Sequence, residues 1–135
     1  MPGLILKLRA HEQILVNGVV MQNGDRNARL IIKTPDANIL RLRDAIHPDD
    51  ANTPVSRVCY ILQLILAGEA EIETAKAQAL AGIEQLAAVF VDPASAASLS
   101  QASTDVAGGR FYPALRALRS ILPAEGHLMA LSARQ

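Results

Sequence analysis

Hydrophobic and polar positions alternate with a period of two between Leu4 and Arg43, and with a spacing of three and four after Asp44. A period of two sends successive side chains to opposite faces of a strand. Leu4, Leu6 and Leu8 alternate with Ile5, Lys7 and Arg9, which predicts a half-buried strand with leucines inward and charges outward. Ala10-His11-Glu12 is a polar break. Ile14 to Val16 and Val19 to Met21 then flank Asn17-Gly18, a pair suited to a type I′ turn because both residues tolerate positive φ. A second pair, Asn23-Gly24, predicts another reversal, drawn out through Asp25, Arg26 and Asn27 so that Arg26 projects. Arg29, Ile31 and Lys33 alternate with Leu30 and Ile32, Pro35-Asp36 closes that strand, and Leu40 and Leu42 alternate with Ile39, Arg41 and Arg43. Residues 1–46 are thus expected to form a small antiparallel five-stranded β module.

Residues 47–135 read as helical. Thr53 is placed to cap free N–H groups ahead of Pro54, whose missing N–H costs nothing at the first helical position. The helix this begins runs to Ala67 and stops at Gly68, and it is apolar nearly all round, as in a buried helix. A second helix is expected over 69–90, with Glu69, Glu71 and Glu73 favoured by the dipole at its start and Asp92-Pro93 at its end. Residues 93–107 hold only Leu99 and Val106 as large apolar side chains, so they predict a weakly packed helix or a connector. Gly108-Gly109 breaks the chain before a last helix with Phe111, Leu115, Leu118 and Leu122 on one stripe and Arg110, Arg116 and Arg119 to the side. Residues after Pro123 are expected to fray. The fold class is therefore α+β, with the β module followed by a bundle of three to four helices.

Composition narrows the function. The chain has 135 residues, half of them apolar, which is enough for one core and excludes global disorder. Net charge is zero, yet residues 1–43 hold seven basic side chains against three acidic ones, and the rest holds six against ten. A charge split of that kind points to a polyanion-binding face, set against the ordinary alternative of a solvated sheet surface. A single cysteine, Cys59, excludes an internal disulfide and suits a reducing compartment. Met1-Pro2-Gly3 lacks the basic start of a signal peptide, and the apolar run from Val58 to Ala67 is far shorter than the ~20 residues of a membrane span. The expectation is a soluble cytoplasmic protein.

Catalytic and cofactor chemistry is missing from the pattern. There is no Gly-rich phosphate loop, and His11, His47, His127 and Cys59 have no metal-ligand spacing, so no metal and no cofactor are expected. Cys59 lies between Val58 and Tyr60 on the apolar helix and reads as a small core residue. Asp49-Asp50 reads as a solvated turn. An enzyme is not expected.

Two resemblances follow from particular segments. Ala51-Asn52-Thr53-Pro54, then Arg57 and Val58-Cys59-Tyr60-Ile61-Leu62-Gln63-Leu64, together with Asn17-Gly18, Asn23-Gly24-Asp25-Arg26 and Gly109-x-Phe111-Tyr112-x-Ala114-Leu115, resemble the flagellum biosynthesis repressor family, FlbT, over nearly the whole chain. That resemblance implies a regulator that associates with the 5′ untranslated region of flagellin mRNA, lowers its translation and lifetime, and works beside a FlaF-like flagellar protein. The Ala- and Ser-rich tract 92–107 departs from the family's more leucine-rich pattern. Residues 4–46 are also similar to the carbon storage regulator family of mRNA-binding proteins, through Leu4-Ile5-Leu6-Lys7-Leu8-Arg9, Asn27-Ala28-Arg29-Leu30-Ile31-Ile32-Lys33-Thr34-Pro35 and Leu42-Arg43-Asp44-Ala45-Ile46, with His11 in place of a family glycine. In that family the first and last strands run side by side and their basic residues face RNA. The likeness implies Arg9 and Arg43 as contacts, with Lys7 and Arg41 beside them, and either a strand-exchanged homodimer or a monomer in which the helices replace the partner chain.

The residues lead to the same surface. If the outer strands pair, Lys7, Arg9, Arg41 and Arg43 form a cluster that an anion would complete, and arginine forks suit phosphate or base edges. The full expected RNA-binding set is Lys7, Arg9, Arg26, Arg29, Lys33, Arg41 and Arg43. The first 59 residues contain no aromatic side chain, so base stacking on the sheet is excluded. The rival expectation is an adaptor whose helices present Val58, Leu62, Ile65, Phe111 and Leu115 to a FlaF-like protein or to flagellin.

Overall fold

The computed structural model describes residues 4–34 and 37–133. The expected strand closure at Pro35-Asp36 and the reading of Met1-Pro2-Gly3 lie outside them. The architecture is α+β. Strands β1 (Leu4–Leu8), β2 (Gln13–Val16), β3 (Val19–Gln22), β4 (Ala28–Ile32) and β5 (Ile39–Arg41) come first. Helices α1 (Pro54–Leu66), α2 (Ile72–Ala87), α3 (Pro93–Ala107), α4 (Phe111–Arg119) and α5 (Leu122–Ala133) follow.

The strands form two antiparallel sheets. β1 pairs with β4 so that Leu6 faces Leu30 and Lys7 faces Arg29. β2 lies between β3 and β5, with Ile14 opposite both Met21 and Arg41. The side-by-side pairing expected of the first and last strands is therefore corrected, since each pairs with a strand of its own sheet. Asn17 and Gly18, at φ 50° and 83°, form the tight hairpin turn their types favour. The second Asn-Gly pair is not a hairpin. Asn23 instead donates through Nδ2 to the carbonyls of Arg9 and Arg26, both at 2.8 Å, and the chain crosses from one sheet to the other. His11 adopts φ 63° in the break between β1 and β2, the left-handed region that a glycine fills without strain.

The first helix starts as expected. The Thr53 side chain accepts from Ser56 N, and Ser56 Oγ returns a 2.9 Å contact to Thr53 N. The second begins at Ile72 rather than 69, because the Glu71 carboxylate accepts from Glu73 N and Thr74 N and so marks the cap. α1 and α2 approach closely at Gly82, where a β-carbon would lie 2.6 Å from Val58 Cγ2. Residues 93–107 are a full helix, capped by Asp92 and burying Ser95, Leu99, Ala102, Asp105 and Val106. Its small side chains allow close packing against α2 and α4.

The expected final helix is divided. Pro123 cannot donate to the turn before it, so one helix ends at Arg119 and a new one starts at Leu122 with proline in its first turn. Residues beyond Pro123 are helical rather than frayed, and one residue explains it. Glu125 is buried, accepts from Thr53 Oγ1 at 2.5 Å and from Val55 N at 2.8 Å, and so ties α5 to the N-terminus of α1. Buried side chains of β1, β2, β5 and all the helices but α5 meet in one cluster, from Leu6 and Ile14 to Leu62, Ile83, Leu99 and Leu115. Gln63 and Ile46 exchange two hydrogen bonds, at 2.6 and 3.0 Å, and pin the connecting segment to α1.

Glu125→Ala should lower stability by about 1–3 kcal/mol, the cost of leaving buried donors unpaired, in urea unfolding monitored by circular dichroism. Leu128→Ser, on the exposed part of α5, should change it by less than about 0.5 kcal/mol.

Candidate functional site

The alternation in β1 and β4 produces one cationic face. Lys7 and Arg29 sit directly opposite each other in the ladder and both are exposed, as are Ile5 and Ile31 one step along. Like charges in that position destabilise a strand pair. Among the described residues, Lys7, Arg9 and Arg29 make no ion pair with an acidic side chain. An anion laid across β1 and β4 would relieve the repulsion.

Arg41 behaves differently from its expected neighbours. Its side chain is only 9% exposed, and its guanidinium grips the Glu12 carboxylate with both Nε (2.7 Å to Oε2) and Nη2 (2.9 Å to Oε1). Nη2 also donates to the Lys7 carbonyl at 2.6 Å. The expected outward position of Arg41 is thus corrected, because β5 is covered on both sides and its arginine is used internally. The Arg41 hydrogen bonds hold the Glu12 carboxyl down to about 2, well below its ordinary 4.5, against the opposing effect of burial. Arg43 lies beyond β5 in a short 3-10 helix, Leu42–Asp44, with its side chain half-exposed and its Nε 3.9 Å from Glu12.

These elements enclose a groove of about 1010 Å³. It is lined by Lys7, Arg9, Arg29, Arg41 and Arg43 from the strand region and by Tyr112 and Arg116 from α4. The Arg116 guanidinium lies 5.9 Å from the centroid of the Tyr112 ring. Asp44 ties the segment after β5 to α4, since Arg119 donates to its carbonyl at 3.0 Å and approaches its carboxylate at 3.7 Å. Of the seven cations expected from sequence, the structure brings Lys7, Arg9, Arg29 and Arg43 to the groove surface, with Arg41 behind them. Arg26 and Lys33 are exposed but do not line it. Sequence reasoning missed Tyr112 and Arg116. Their four-residue spacing puts them on one helix face, but nothing in the sequence shows that this face turns toward the strands.

The residues expected to receive a partner are core residues. Val58, Leu62, Ile65, Phe111 and Leu115 are all buried, largely between α1 and α4, and do not form an open groove. Exposed large apolar side chains lie elsewhere, at Val19, Val20 and Met21 on β3 and at Leu128, Met129 and Leu131 on α5. Burial pushes the Cys59 thiol up to about 12, as suits a packed core residue. Among the described residues no cluster of His, Cys, Asp and Glu is placed to hold a metal, and no helix is long and apolar enough to cross a membrane.

The family described as "Flagellar protein FlbT" matches residues 4–129. A "Probable flagellum biosynthesis repressor protein FlbT" from Chelativorans sp. (strain BNC1) is 29% identical over 96% of this chain and 88% of its own length. Proteins of the same name from Allorhizobium ampelinum (30% identical, 93% of this chain, 83% of theirs) and Brucella abortus (32%, 92% and 80%) are similar along nearly the same span. No solved structure matches.

Arg41→Ala should cost about 3–5 kcal/mol in chemical denaturation, because it strands the Glu12 carboxylate. Arg43→Ala should cost less than about 0.5 kcal/mol in the same measurement. The depressed Glu12 carboxyl contributes stability that is complete above about pH 4.5 and is lost as pH falls toward about 2. Stability measured across that window should therefore decline less steeply with acid in Glu12→Gln, which starts from a lower value at neutral pH.

Proposed function

The chain belongs to the FlbT family of flagellar proteins, and from that premise we propose that it is a post-transcriptional repressor of flagellin synthesis. In this reading the groove between β1, β4 and α4 holds the 5′ untranslated region of flagellin mRNA, blocking its translation or hastening its degradation. The relatives' name supports a role in repressing flagellum biosynthesis. The observation that carries the RNA part is the convergence of Lys7, Arg9, Arg29 and Arg43 on one groove, with Lys7 and Arg29 opposed and, among the described residues, in no ion pair with an acidic side chain. Such a site favours a ligand with several negative charges. A cleft lined by strand cations and by a helix suits a single strand, whose phosphates can follow the cations while its bases turn to the other lining residues.

The rival reading, an adaptor for a FlaF-like protein or flagellin, draws no support from its expected helix face, which is spent on the core. A FlaF-like partner fits the RNA reading better as a second protein on another surface.

The test is titration of the purified protein with a flagellin-leader RNA and a scrambled RNA at two salt concentrations. Wild type should prefer the leader, and its affinity should fall with a log–log slope of roughly −0.7 per phosphate contact. The Arg9→Ala/Arg43→Ala variant should bind more weakly and with a shallower slope by roughly 1.4. Equal affinity of wild type for both RNAs would reduce the activity to general polyanion binding, and unchanged binding by the double variant would remove the groove as the site.

A further inference from the structure

The β wall of the groove carries charge but no aromatic ring, so on its own it offers phosphate contacts and nothing on which a base can stack. The helical wall is different. Tyr112 is buried at the groove with its ring beneath the Arg116 guanidinium, whose carbon stands 5.9 Å from the ring centroid. Arg116 itself is exposed and lines the same cleft as Lys7 and Arg29. A guanidinium held over an aromatic ring is steered into a limited set of orientations, and its outer face stays free. Guanidinium planes accept unpaired nucleobases by stacking, as aromatic rings do.

We propose that Arg116, oriented by Tyr112, is the base-stacking platform of this groove, and that its ligand is single-stranded RNA with an unpaired base seated on that guanidinium. The inference builds on the RNA reading above and moves part of the binding site out of the β module and into α4. Asp44, held by Arg119, ties the segment after β5 to α4. The backbone would then run along Lys7, Arg9 and Arg29 while one base reaches across to α4.

The probe is a short single-stranded oligoribonucleotide carrying one fluorescent aminopurine, whose emission is quenched on stacking, titrated into full-length wild type, Arg116→Ala, Arg116→Lys and Arg57→Ala. Arg57 is exposed on α1 outside the groove, so its loss matches the change in net charge without touching the site. Wild type should bind with quenching, and Arg116→Ala should weaken binding by about 5- to 150-fold and abolish the quenching. Arg116→Lys keeps the charge but not the plane, so the salt slope should persist while quenching and affinity fall. Arg57→Ala should match wild type, and circular dichroism of each variant should be unchanged.

Full affinity and quenching in Arg116→Lys would overturn the stacking role. An Arg116→Ala variant that binds like wild type, while Arg9→Ala/Arg43→Ala does not, would overturn this inference and leave the RNA groove standing. Equal losses in Arg57→Ala and Arg116→Ala would overturn it in favour of overall charge. Absence of wild-type binding to any single-stranded RNA would overturn the RNA reading itself, and this inference with it.

Discussion

The ion pair between Glu12 and Arg41 is the joint on which the N-terminal half depends. The two sheets share no ladder, and apart from two backbone hydrogen bonds at the crossing, His11 N to the Gly24 carbonyl and Asn23 N to the Glu12 carbonyl, side chains tie them together. Arg41 leaves the end of β5 in one sheet, takes both oxygens of Glu12 in the turn after β1, and reaches the Lys7 carbonyl in the other sheet. Glu12 in turn accepts from Arg9 N at 3.0 Å. A carboxylate and a guanidinium this buried are costly to desolvate, and the cost is offset only by good geometry and further hydrogen bonds. Both conditions are met here.

That joint also shapes the cationic groove. With Arg41 neutralised internally, the backbone around Lys7 and Arg9 is held against β5, and Arg43 is left at the mouth. Lys7 and Arg29 are carried on paired strands, while Arg9 and Arg43 lie just past the ends of β1 and β5. Placing Lys7 against Arg29 in a two-stranded sheet is a poor choice for stability alone. Local rules broken without an internal gain are commonest at functional sites, and the proposed anionic ligand would supply the compensation.

The helical half has two separate duties. Its apolar faces are consumed in packing, which is why the greasy α1 and the Phe111–Leu118 stripe have little left to offer a partner. Its polar faces complete the groove through Tyr112 and Arg116 and attach it through Arg119. Glu125 shows the same economy at the other end, where one buried carboxylate caps α1 and anchors α5.

Local periodicity determined a good deal by itself. The five strands, the Asn17-Gly18 hairpin, the Thr53-Pro54 helix start and the α+β class follow from side-chain alternation, turn stereochemistry and capping, all of which act within a few residues. The family likeness was legible too, because it lies in those same segments. Strand partners were not, since pairing depends on contacts between residues far apart, and β1 chose β4 while β5 chose β2. The fate of each cation was equally hidden. Arg41 and Arg43 look alike in an alternating strand, yet the first is buried against Glu12 and the second is half-exposed, because the strand stops between them. Only the tertiary structure decided that α4 would turn Tyr112 and Arg116 to the groove, for the orientation of a helix is set by the core it packs on.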